Sequence, residues 1–267
     1  MNRERLGIQD ALWLDMDRPA NLMVADVVVL TATPLNFDRL RAAISERFVE
    51  RYPVFTSRAV RDADGTWWET DQDFDLDRHL ETATLADPDD PAELQTLMSE
   101  RRMKMLDRRR PLWQVILVER YRAGSAMVFR SHHAVTDGMR MVQLAMSLFD
   151  AAPDGGAILG PPVAQHAARP RPPRRGLRDL LAAVPGFVDT VRKLIFGPRN
   201  RRTIWTGTAG RDKGIAWSDP LPLAAVKSVA KANGCTVNDV LTAAVAGTLR
   251  EYLRSREIGR ASCRERV

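Results

Sequence analysis

The chain lacks any long hydrophobic run. No apolar stretch in its 267 residues approaches the roughly 20 that a membrane-spanning helix needs. Its first residues mix acidic and basic side chains and do not form the apolar segment of a secretory signal peptide. These two absences predict a soluble or peripheral protein in the cytoplasm.

Cysteines and cofactor-binding motifs are also scarce. The two cysteines, Cys235 and Cys263, are too few for a disulfide framework or a cysteine-based metal site. The sequence contains no Gly-x-Ser-x-Gly nucleophile elbow, Walker loop or dinucleotide-binding glycine motif. Two of its four histidines, His79 and His166, stand in polar stretches away from the other two, so we expect no bound metal ion.

The positive charge of the chain is concentrated in one segment. The formal net charge is +6, yet ten basic and only two acidic residues lie between His166 and Thr203. The remainder is therefore not basic as a whole, which argues against a nucleic-acid-binding protein.

Strands and helices alternate through residue 150, which predicts a layered α/β or α+β fold for residues 1–150. Valine-rich or alternating apolar patterns indicate the strands, and helical spacing after capping residues indicates the helices. The predicted strands are 23–30, 58–61, 66–70, 115–118 and 126–129, and the predicted helices begin after Asn36, span 93–106, and begin after Gly138.

Residues 151–203 form a different region. Six prolines between residues 153 and 173, together with the basic residues, indicate a stiff crossover linker, within which residues 177–195 have the spacing of an amphipathic helix. That helix fits either a membrane-surface helix attracted to anionic lipid or a crossover helix packed between two halves. Both roles are compatible.

Residues 204–257 read as the start of a second half. A strand is predicted at 214–217, then a helix that Asn233 and Gly234 terminate, then a long helix that Thr236 or Asn238 can cap. The last ten residues, 258–267, interrupt that helical pattern and resemble a translated sequencing adapter. We therefore expect a non-native tail on a C-terminally truncated fragment.

One motif carries chemistry: Ser131-His132-His133-Ala134-Val135-Thr136-Asp137-Gly138, between a buried strand and a helix. A neutral imidazole can remove a proton from a hydroxyl or an amine, which makes a histidine of this pair a candidate general base. Asp137 could orient the imidazole or pair with an arginine, and Gly138 permits close backbone approach. A buried, hydrogen-bonded histidine pair or half of a metal site are the alternatives.

The motif fits the HHxxxDG signature of the chloramphenicol-acetyltransferase-like acyltransferases. Three further segments narrow the resemblance: residues 10–14 (DALWL), residues 111–113 (PLW) and residues 237–240 (VNDV). Together, in this order, they resemble the bacterial wax ester synthase/diacylglycerol acyltransferase family. The resemblance implies a fold of two similar halves around a channel, the first half complete here and the second only begun.

The resemblance also implies a reaction. His133 would deprotonate an acceptor hydroxyl that attacks an acyl-CoA thioester directly, with no acyl-enzyme and no cofactor besides the acyl-CoA co-substrate. His132 would support the site, Asp137 would hold the loop, and Gly138 would keep the channel open. The acceptor would be diacylglycerol, a long-chain alcohol or both, handled in the cytoplasm or at a membrane or lipid-droplet surface.

The other family segments keep two interpretations each. Pro111, Leu112 and Trp113 form a wall near the site, or Trp113 belongs simply to the core. Asn238 and Asp239 shape the site from the second half, or cap the helix that follows them. Two other functions also fit the chain: another HHxxxDG acyltransferase, such as a condensation domain, and a lipid-surface binding protein without activity.

Overall fold

The computed structural model describes residues 3–136, 138–150, 204 and 206–256. Its contacts divide the chain into two compact units, Met1–Ile215 and Ala216–Val267. The predicted linker with its amphipathic helix, residues 151–203, and the predicted non-native tail, residues 258–267, lie outside the described residues. The predicted division of the chain at these points therefore stays a prediction.

The described part of the first unit combines seven strands with four α-helices. The strands are β1 (Arg3–Arg5), β2 (Val24–Leu30), β3 (Ser57–Asp62), β4 (Gly65–Thr70), β5 (Leu80–Ala83), β6 (Trp113–Tyr121) and β7 (Gly124–His132). The helices are α1 (Ile8–Met16), α2 (Phe37–Ile44), α3 (Pro91–Arg102) and α4 (Gly138–Ser147). This alternation confirms the layered α/β prediction.

A four-stranded sheet in the order β2-β7-β6-β5 forms the centre of the first unit. Its strands pair antiparallel except β5 and β6, which run parallel. Every residue of β7 is buried, because helices cover both faces of the sheet. Met127 and Phe129 face the layer of α2 and α4, whereas Ala126 and Val128 face α3.

A smaller sheet, β1-β4-β3, stands beside the first. Its β3–β4 hairpin turns at Ala63 and Asp64, and Gly65 is the first residue of β4. Trp68 of β4 packs with Leu14 of α1 and with Leu112, just before β6. The same cluster includes Ala134 and Val135, so the histidine loop rests on this second core.

The turn between β6 and β7 brings the start of β7 unusually close to the residue that follows β2. Arg122 adopts a φ of +53°, and Gly124 then starts β7 against the backbone of Thr31. A Cβ on Gly124 would lie 1.8 Å from the carbonyl oxygen of Thr31. Only glycine permits this approach, which lets β7 pair with every residue of β2.

Several predicted boundaries need correction. Helix α3 ends at Arg102 rather than at residue 106. Directly after Arg102, the amide of Lys104 closes a turn by donating to the carbonyl of Arg101. The predicted strand at 214–217 is wrong. The backbone N–H of Ile215 donates instead to Oγ of Ser99 at 2.9 Å, and the Ile215 side chain packs on the α3 layer.

The second unit contains two helices in its described part, α5 (Leu223–Ala232) and α6 (Val237–Ser255). Gly234, with a φ of +60°, ends α5, and its position confirms the predicted Asn-Gly stop. Thr236 caps α6 as predicted, since its side chain accepts a hydrogen bond from the amide of Asp239. Among the described helices of both units, none combines the length and apolarity needed to cross a bilayer.

Candidate active site

The two adjacent histidines lie at the end of the central strand β7. His132 pairs with Val24 at the start of β2, and its backbone N–H donates to the carbonyl of Leu112 at 3.0 Å. The N–H of His133 donates to the carbonyl of Met23 at 2.8 Å. Backbone bonds to both neighbouring segments therefore fix the position of the pair.

His132 is buried and neutral. Its side chain is 1% exposed, and Nδ1 accepts a hydrogen bond from the N–H of Ala134 at 3.0 Å, which places the proton of the neutral ring on Nε2. Nε2 lies 3.7 Å from Oδ2 of Asp17 and makes no hydrogen bond within the described residues. Burial lowers the pKa of His132 to about 4, so the imidazole carries no charge at neutral pH.

Asp17 is a site residue that the motifs do not reveal. Its carboxylate is buried and accepts from the N–H of Met23 at 2.9 Å and from Nη2 of Arg108 at 3.2 Å. The same Arg108 nitrogen donates to the carbonyl of Leu14 at 2.6 Å. Asp17 thus joins the end of α1, the start of β2 and the His132 ring.

His133 differs from its neighbour because its side chain is only half-buried. Its ring centre lies 5.5 Å from that of Trp13 in α1, so the DALWL segment contributes directly to the histidine site. A ring that is fixed through its backbone and reachable from outside can accept a proton from a bound molecule. The structure therefore separates the two imidazoles into a buried one and an accessible one.

The rest of the HHxxxDG motif is partly described. Asp137 lies outside the described residues, and its predicted role stays a prediction. Gly138 begins α4, and no described atom lies within 4 Å of the place where a Cβ would stand. Space beside Gly138 is compatible with the predicted channel.

The PLW segment, residues 111–113, contacts the histidine site through its backbone. Pro111 and Leu112 are buried, and the carbonyl of Leu112 holds His132 in place. Trp113 belongs to the hydrophobic core, where its Nε1 donates to the carbonyl of Phe55 at 2.8 Å. Of the two interpretations of Trp113, the structure places its ring in the core.

The environment predicted for His79 is wrong. Its ring is buried and stacks on Trp113 with centroids 4.5 Å apart, while Nδ1 lies 2.9 Å from the Trp113 carbonyl. Burial is the main cause that lowers the pKa of His79. Within the described parts of the chain, no group of three or more His, Cys, Asp or Glu side chains could hold a metal ion.

Asn238 and Asp239 lie in the first turn of α6 in the second unit. Oδ2 of Asp239 accepts from the N–H of Thr236 at 2.8 Å, which completes a capping box. Asn238 accepts a bond from Oγ1 of Thr242 through its backbone carbonyl. These contacts are those of a helix cap, and the role of both residues at the site stays a prediction.

The buried neutral state of His132 predicts a loss of stability in acid. The folded pKa of about 4 lies below the ordinary value of 6.5, so the unfolded chain binds the proton more readily. This contribution is intact above pH 6.5 and is lost as the pH falls toward 4. Between pH 7 and pH 5 we expect the free energy of unfolding to drop by about 2 kcal/mol through this group.

Urea denaturation of the wild type and of His132→Asn, at both pH values, measures that contribution. The asparagine oxygen can replace Nδ1 as acceptor for Ala134, but the side chain does not titrate. We expect a smaller drop in the free energy of unfolding of the variant. The difference between the two proteins cancels the contributions of the other titrating groups, including His79. Equal drops in both proteins would contradict the assignment of a buried neutral His132.

Comparison with known proteins finds relatives of this chain. The wax ester synthase/diacylglycerol acyltransferase catalytic domain matches residues 6–241. The protein named "Probable diacyglycerol O-acyltransferase tgs2" of Mycobacterium tuberculosis is 32% identical over 209 residues, which cover 71% of this chain and 45% of that protein. The protein named "Putative diacyglycerol O-acyltransferase Mb0919" of Mycobacterium bovis is 30% identical over 289 residues. The match covers 94% of this chain and 55% of that protein.

A solved structure shows the same fold. The wax ester synthase/diacylglycerol acyltransferase from Marinobacter aquaeolei VT8 superposes with a TM-score of 0.67 at 23% sequence identity. The superposition covers 95% of this chain and 61% of that chain. The chain spans about half the length of the two mycobacterial relatives.

Proposed function

We propose that this chain, which belongs to the wax ester synthase/diacylglycerol acyltransferase family, is the histidine-bearing part of an O-acyltransferase that uses acyl-CoA. The observation that carries the proposal is the contrast within the motif. His132 is buried and neutral, whereas the ring of His133 is accessible beside Trp13. One imidazole is thereby suited to hold the site and the other to exchange a proton.

In the proposed reaction, His133 takes the proton of the acceptor hydroxyl as the oxygen attacks the thioester carbonyl. A carbon–oxygen bond forms and gives a tetrahedral oxyanion. Its collapse breaks the carbon–sulfur bond, and the departing CoA thiolate receives the proton from the His133 imidazolium. Ester and free CoA are the products, and neither a metal ion nor a covalent acyl-enzyme takes part.

Asp17 and His132 act as positioning residues in this scheme. Asp17 fixes the backbone of Met23, whose carbonyl in turn binds the N–H of His133. His132 fixes the loop that follows through Ala134. Two buried side chains thus define where the accessible imidazole lies, which is the requirement for efficient proton transfer.

The acceptor is proposed from the names of the relatives. Diacylglycerol would give triacylglycerol, and a long-chain alcohol would give a wax ester. Both acceptors and the acyl chain are water-insoluble, so we place the reaction on the cytoplasmic side, at a membrane or lipid-droplet surface.

An acylation assay with protein expressed from its complete gene tests the proposal. Palmitoyl-CoA is offered with a diacylglycerol or with hexadecanol, and CoA thiol release and ester formation are measured together. We expect acceptor-dependent thiol release that matches the ester formed, with no burst of CoA before acceptor is added. Hexadecane, which lacks the hydroxyl, is the matched control.

Two outcomes would contradict the proposal. Thiol release without ester would indicate a hydrolase, and a burst equal to the enzyme concentration in the absence of acceptor would indicate an acyl-enzyme.

A further inference from the structure

A basic cavity of about 260 Å³ lies on the α3 side of the central sheet. We call it the basic pocket and define it by Arg78, Arg101, Lys104, Arg110 and Arg130, with Asp107 as the one lining carboxylate. Its volume lies below the roughly 300–1,000 Å³ of sites for drug-sized ligands. The space therefore suits a small charged group rather than a whole cofactor.

Two of the five cations are held by internal ion pairs. Arg130 is buried, and its Nε lies 3.0 Å from Oδ1 of Asp26. Arg101 pairs with Glu81, although its buried Nε finds no acceptor in the described structure. These two guanidinium groups are fixed at the wall of the pocket, each beside a carboxylate that offsets its charge.

The other three cations are weakly compensated. Within the described residues, the side chain of Lys104 makes no ion pair or hydrogen bond. Arg110 lies 3.9 Å from Asp107, but that carboxylate is bound more closely by Arg109, at 3.0 Å. Among the residues that the structure describes, Arg78 pairs only with Asp75, three residues before it on the surface, which is a weak interaction in water. Donors therefore remain available to an incoming anion.

The pocket lies next to the histidine site. Arg130 and His132 are two residues apart on β7 and so lie on the same face of the sheet, roughly 7 Å apart. Pro111 and Trp113 also line the pocket, on either side of Leu112, whose carbonyl holds His132. An anion bound here would lie on the same side of the sheet as His132, the buried histidine that positions the site.

We propose that the basic pocket binds a phosphate group of a ligand. Several arginine and lysine donors around one small space match the three or four oxygens of a phosphate better than a single carboxylate. The phosphate has two possible sources, the nucleotide end of the acyl-CoA and the headgroup of an anionic phospholipid. The first source rests on the proposed function, whereas the second does not.

Calorimetric titration of the full-length protein with pyrophosphate at low salt tests the pocket. We expect saturable binding that the double variant Arg78→Gln/Lys104→Gln weakens about tenfold, since it removes two charge-assisted contacts. Both side chains are exposed, so the fold should survive, and circular dichroism checks it. Arg39→Gln, an exposed cation on α2 across the sheet, should bind like the wild type.

Two further arms identify the source of the phosphate. Competition of pyrophosphate by 3′,5′-ADP would assign the pocket to CoA, and displacement from phosphatidic acid vesicles by pyrophosphate would assign it to a headgroup. Absence of pyrophosphate binding, or equal affinity in the double variant, would overturn the proposal. Because none of these readouts uses acyl transfer, the pocket can fail while the proposed activity stands.

Discussion

Replacing His133 by alanine is expected to lower the rate of acyl transfer by about 10²- to 10⁴-fold, the usual contribution of a general base. The variant loses the half-exposed imidazole beside Trp13 but keeps the backbone N–H that donates to Met23. The fold should therefore remain, and so should the affinity for acyl-CoA. The measurement is acceptor-dependent release of CoA thiol, with the urea midpoint as a check on folding.

His166→Ala is the matched control, because it removes a histidine that lies outside the HHxxxDG motif in the sequence. Added imidazole should restore part of the rate in His133→Ala and have no effect on the control. Undiminished turnover of His133→Ala would exclude this residue as the base. The water-insoluble acceptors would then need another group to take their proton.

Replacing Gly124 by alanine is expected to cost at least about 3 kcal/mol of the free energy of unfolding. The new Cβ would meet the Thr31 carbonyl at 1.8 Å, and a backbone atom cannot move aside as a flexible side chain can. The strands β2 and β7 would have to separate at this end. Since the histidine site lies at the other end of the same strand pair, activity should fall together with stability.

Gly207→Ala is the control for this prediction, since no described atom lies within 4 Å of its Cβ position. Urea unfolding of both variants measures the difference. A Gly124→Ala protein as stable as Gly207→Ala would show that the two strands can relax without cost, against the observed approach.

The sequence predicts those features that depend on local patterns. The buried strand β7 follows from a continuous apolar run, and the capping residue of α2 follows from hydrogen bonding within a few residues. The histidine pair and the PLW segment can be recognised in the sequence because the residues of each motif have a fixed spacing. These predictions need no knowledge of which distant segments meet.

Asp17 and Arg108 could not be predicted in the same way. They are 91 residues apart and make their contact only because the fold brings the end of α1 to the loop before β6. A buried carboxylate in a stretch with three aspartates gives no signal in the sequence. For the same reason, the polar residues beside His79 in the sequence do not indicate that its ring stacks on Trp113.

The pairing of β7 also has a consequence for the order of folding. Strands β6 and β7 are joined by a tight turn and can form a hairpin early, whereas β2 must meet β7 across roughly 100 residues of chain. The Met23 carbonyl that fixes His133 arrives only with that long loop closure. During refolding, we therefore expect the hairpin to appear before catalytic competence, which should return only in the slower phase.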